Sequence, residues 1–84
     1  MRDVMIQDYI GTRKELTADQ VRKLPAGTKV IRHSFDRYGN HVTLEMTVVQ
    51  SGKKKVLTAT DYYGGSRIEK AITAETDRMC YTEV

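Results

Sequence analysis

The densest run of chemistry-bearing residues is Tyr62-Tyr63-Gly64-Gly65-Ser66-Arg67. Glycines let backbone amides approach a ligand closely, and a helix start offers free N–H groups and a positive dipole end. Arg67 adds a forked donor that matches phosphate. Tyr62 and Tyr63 offer faces on which a base can stack. Together they describe a phosphate or nucleotide site. The lysine and the glycine spacing of a Walker loop or a dinucleotide fingerprint are missing. An ordinary strand-to-helix turn, with Ser66 as its cap, explains the same residues.

A second group is basic with aromatic interleaving: Lys29, Arg32, Arg37, Tyr38, Lys53, Lys54 and Lys55. Between Gln20 and Thr60 stand eight Lys and Arg against two acids, whereas the rest of the chain has six against nine. A basic centre between acidic ends points to an anionic partner for the middle of the chain. The plain alternative is a set of solvated turn charges that keep the protein dispersed.

His33, His41 and Cys80 are the remaining reactive side chains. Nucleophilic catalysis needs a nucleophile, a base and an orienting group in mutual reach. No motif surrounds Cys80, paired carboxylates are absent from the strands, and no Cys/His spacing fits zinc. The expectation is therefore a protein without catalytic residues, bound metal or cofactor. With a single cysteine in 84 residues there is no intrachain disulfide. A core this small gains from self-association, so a homo-oligomer is expected. No apolar run is long enough to span a membrane. Asp3 and Asp8 occupy the stretch where a signal peptide needs an apolar core, so a cytoplasmic location is the simplest reading.

These groups must be positioned by a single domain, residues 1–84. Its clearest element is His41-Val42-Thr43-Leu44-Glu45-Met46-Thr47-Val48, where apolar and polar residues alternate as in a strand with one buried face. A partner strand is expected over 28–35. With Arg37-Tyr38-Gly39-Asn40 as the loop, Phe35 faces Val42, Ile31 faces Met46, and Arg32 pairs with Glu45 on the outer face. Ser51-Gly52 then turns the chain into a third strand from Lys53, placing Met46 opposite Leu57 and Leu44 opposite Ala59. The outer face would carry Thr43, Glu45, Thr47, Lys54, Val56 and Thr58, a surface suited to water or to a flat ligand.

Thr17 and Gln20 form a capping box, Leu16 and Val21 a hydrophobic staple, and Pro25 a stop, which predicts a short helix at about 18–24. Ser66 and Glu69 form a second capping box. Ile68, Ala71 and Ile72 follow at helical spacing, predicting a C-terminal helix at about 67–76, with a fourth strand as the competing reading. The tail Arg78–Thr82 suits a short edge strand, and Asp3–Ile10 fits neither period. The expected fold is α+β: a small three- to four-stranded antiparallel β-meander with those two helices.

No family fingerprint marks the chain. The expected function is a non-catalytic protein that holds or sequesters a phosphate-bearing ligand, either a nucleotide-like small molecule or nucleic acid. Its size and plainness suit an accessory protein of a phage or mobile element. The alternative is an interaction module or inhibitor that meets a partner protein through a sheet edge or the basic face, with the first or third strand as the open edge.

Overall fold

A computed structural model describes residues 5–60, 65 and 67–84. It contains one six-stranded antiparallel sheet: β1 (Glu15–Leu16), β2 (Lys29–Phe35), β3 (His41–Ser51), β4 (Lys54–Thr60), β5 (Arg67–Ala71) and β6 (Met79–Glu83). Their order across the sheet is β1-β6-β2-β3-β4-β5. One helix, α1 (Ala18–Lys23), and a 3-10 turn at Ile6–Asp8 complete the described elements. This corrects the expected three- to four-stranded meander with two helices.

Helix α1 forms as its local chemistry dictates. Gln20 N donates to Thr17 Oγ1 at 3.1 Å, and Thr17 N donates to Gln20 Oε1 at 2.8 Å. Two otherwise unpaired amides are thereby satisfied. Leu24, before Pro25, turns extended at ψ 144°, and the helix stops. Val21 is buried and joins Leu16, Val30, Met46, Val48, Leu57 and Tyr81 in the main core.

The β2–β3 hairpin departs from expectation by one residue. Phe35 lies opposite His41, Val30 opposite Met46 and Arg32 opposite Leu44. The cause is Asp36. Its Oδ1 accepts from Tyr38 N and from Asn40 N, both at 2.9 Å, while Asp36 N donates to Asn40 O at 3.0 Å, which together close the connection 36–40 one residue earlier than expected. Gly39 supplies the left-handed position at φ 82°. These amide bonds, led by that from Asn40, also hold the Asp36 carboxyl below its ordinary range.

A slip of one residue exchanges the faces of one strand relative to its neighbour. Met46 and Val48 stay in the core as expected, with Leu44 partly buried against them, but Val42 is exposed. On β2 it is Val30, not Ile31, that faces Met46. His33 and Phe35 go to the opposite face, where Ile6, Ile10 and Cys80 form a second apolar cluster with Phe35 packed against it. The expected Arg32–Glu45 pair does not form. Glu45 lies opposite Ile31 and bridges to Lys29 at 3.6 Å.

The β3–β4 turn is shifted by two residues, which preserves the faces. Gly52-Lys53 is the turn, Ser51 pairs with Lys54, and Val48 rather than Met46 meets Leu57. Gly52 sits at φ 62°, the first-position geometry of a tight hairpin turn. Val56 and Thr58, expected on an open outer face, are buried.

Residues Arg67–Ala71, expected to be helical, pair with β4: Ile68 opposite Ala59 and Glu69 opposite Thr58. A helix that short gains little alone, whereas pairing satisfies a strand that would otherwise present bare amides. The tail is not an edge strand. Strand β6 lies between β1 and β2, and Met79 to Thr82 are all buried because both faces are covered there. The Tyr81 hydroxyl accepts from Thr73 N and donates to Thr73 O, each at 3.1 Å, fastening the β5–β6 connection. The first and third expected strands correspond to β2 and β4. Both are interior; the edges are β1 and β5. No helix among the described residues is long and apolar enough to cross a membrane.

Candidate anion-binding site

The lysine run at the β3–β4 turn does not stand alone. Lys53, Lys54 and Lys55 line a groove of about 450 Å³ with Arg22 of α1, Gln50 of β3, Val56 of β4, Ala71 at the end of β5 and Ile72 just after it. Four cations therefore face one concavity, and among the described residues no carboxylate lines it, although Asp19 pairs with Arg22 at 2.7 Å. Two of the four are fixed in place. Lys55 Nζ donates to Leu24 O at 2.6 Å. Arg22 donates through Nη2 to Ile72 O at 2.8 Å and through Nη1 to Asp19 Oδ1 at 2.7 Å. Lys53 and Lys54 project from the turn and are exposed. Gln50 Nε2 braces that turn by donating to Gly52 O at 2.8 Å. The arrangement offers two anchored and two exposed cations, which suits the spread charge of phosphate groups.

The other expected site residues are dispersed. Arg37 and Tyr38 lie in the loop at the opposite end of β3, roughly 33 Å away at about 3.3 Å per residue. The Arg37 guanidinium sits 5.6 Å from the centre of the exposed Tyr38 ring. Arg32 is on the core-bearing face between Leu44 and Tyr81, and its Nε is buried without a hydrogen-bond partner among the described residues. Arg67 borders a smaller groove of about 370 Å³ with Lys29, Glu45, Thr47, Thr58 and Ala59, where Glu45 offsets the positive charge. Gly65 is exposed at φ 84°. Tyr62, Tyr63, Gly64 and Ser66 lie outside the described residues.

Sequence reasoning missed Arg22 as a site residue. It lies in the last turn of α1 and reaches the groove only because α1 packs across the sheet. Also missed was the ring stack at the other end. His33 and His41 stack nearly parallel, 6° apart with centroids at 5.1 Å, and Tyr9 lies 5.0 Å from His41. The odd-numbered spacing of His33, Phe35 and His41 carries that signal once the loop has five residues.

The thiol of Cys80 is fully buried. Burial, reinforced by Glu15 and Glu75, pushes it up to about 11, so it is not a thiolate at neutral pH. No group of three or more His, Cys, Asp or Glu that could hold a metal occurs among the described residues. Comparison with known proteins finds no matching family model, curated protein or solved structure.

Proposed function

We propose that this chain is a non-catalytic binding protein that holds a phosphate-bearing ligand, a nucleotide-like molecule or a nucleic-acid strand, in the groove at the β3–β4 turn. The supporting observation is the convergence of Arg22, Lys53, Lys54 and Lys55 on one concavity that no acid lines among the described residues. Arg22 and Lys55 are held by backbone carbonyls, so little ordering of those two is needed when an anion arrives.

The test is a titration with fluorescein-labelled single-stranded DNA, with pyrophosphate as competitor. Lys53→Glu/Lys54→Glu is the informative variant, because both side chains are exposed and neither supports the fold. It should lower DNA affinity at least about tenfold. Losing two phosphate contacts should also flatten the dependence of log K on log salt by about 1.4 units. An enclosed nucleotide would show a weaker salt slope than the strand, with pyrophosphate competing at stoichiometric excess. Absence of binding by both probes at low salt removes the proposal.

A further inference from the structure

The sheet ends on one side in β1, only two residues long, and on the other in β5, five residues long. Strand β5 pairs with β4 along one side. Along the other, no described residue meets its backbone groups. An unpaired edge is a template for another strand. Proteins that leave such edges solitary blunt them with proline, a bulge, a very short strand or uncompensated edge charges; β5 carries Arg67, Glu69 and Lys70, so the arrangement of those charges decides whether it pairs. Arg67-Ile68-Glu69-Lys70-Ala71 contains no proline, and its register against β4 runs without interruption.

We propose that β5 pairs antiparallel with β5 of a second copy of this chain, about a two-fold axis through Ile68, to give a continuous twelve-stranded sheet. The side-chain pattern selects both partner and register. With the axis at Ile68, Arg67 lies opposite the second copy's Glu69, and Glu69 opposite its Arg67. Two opposite-charge pairs then form on one face, and the two Ile68 side chains meet on the other. Shifting the axis to Glu69 would set that carboxylate against its own copy, which is unfavourable. Among the described residues neither Arg67 nor Glu69 is committed to an ion pair. Ile68 is only half-buried in the single chain. A two-fold pairing of identical surfaces closes on itself and stops at the dimer.

Sedimentation velocity over a wide concentration range tests this. The wild-type chain should form a dimer. Arg67→Glu and Glu69→Arg should each convert two attractive pairs into two repulsive ones and raise the dissociation constant at least about tenfold. Mixing the two variants restores attraction at both positions, so a heterodimer should form. The double variant Arg67→Glu/Glu69→Arg should also dimerise like the wild type. Circular dichroism verifies that each variant folds, and DNA binding in the lysine groove should be unchanged. A wild type that stays monomeric, or a dimer indifferent to both single reversals, overturns the proposal. A mixture that fails to pair while the wild type dimerises does so as well.

Discussion

Replacing Met46 with aspartate abolishes the cooperative urea-unfolding transition followed by circular dichroism. Met46 is 1 % exposed and sits mid-strand in β3, opposite Val30 and packed among Val48, Leu57 and Tyr81. An aspartate there has two options. It can keep its charge in an apolar setting at a cost of several kcal/mol, or bind a proton and still leave an unpaired carboxyl where a thioether had packed. Lost packing alone, judged from Met-to-Ala changes, costs about 2–5 kcal/mol. A domain of this size has roughly 4–13 kcal/mol in total, at about 0.05–0.15 kcal/mol per residue. Either route consumes most of that. Met46→Leu, nearly equal in volume, should cost less than about 1.5 kcal/mol and keep the transition sharp. A sharp transition in the aspartate variant would show that this face of β3 is not the core.

Acidification should destabilise the fold through His33 before the carboxylates titrate. His33 is buried. Its Nδ1 lies 2.9 Å from His41 Nε2, and its Nε2 lies 2.8 Å from Thr82 Oγ1. The contact between the two rings needs one donor and one acceptor, so it cannot survive with both imidazoles protonated. The surroundings agree. Burial above all, then the neighbouring His41 and the Arg13 guanidinium, holds His33 below its ordinary value of 6.5. Also on this side are the Tyr9 ring, the Arg78 guanidinium 5.0 Å over the Phe35 ring, Cys80, held neutral, and Glu15 on β1 opposite Thr82.

The sign follows. As pH falls below about 6.5 the unfolded chain binds a proton that the folded chain refuses, so stability drops with acid and levels off above that range. The limiting slope is about 1.4 kcal/mol per pH unit for one proton. Urea midpoints measured at steps from about pH 7 to about pH 5 should fall accordingly. His33→Gln should flatten the curve. A wild-type midpoint constant across that window would sink the assignment.

The parts of this fold legible in the sequence are those decided within a few residues. Helix α1 is fixed by a capping box and a proline, both local, and its bounds agree with expectation to one residue. The buried face of β3 follows from its own alternation. What sequence hides is the relation between elements. A side chain, Asp36, sets the length of the first hairpin loop and with it the face of every residue on β2. That is why Arg32 and Glu45 part company and why His33 meets His41. Residues 68–72 carry a helical spacing at Ile68, Ala71 and Ile72, yet Arg67–Ala71 adopt the period of the strand they lie beside. Of the site, the lysine run is visible in the chain, whereas its joining with Arg22 depends on where α1 lands.

The interior position of β6 governs how this molecule can assemble. Leu16 meets Tyr81 and Val30 meets Glu83 across strand ladders, so segments from opposite ends of the chain must find each other. The β2–β5 hairpins bring near neighbours together quickly, but they alone leave the inner flank of β2 bare. Closing loops of such span delays the rate-limiting step relative to a simple meander. During that interval β2 is the surface through which one unfinished chain is most exposed to another.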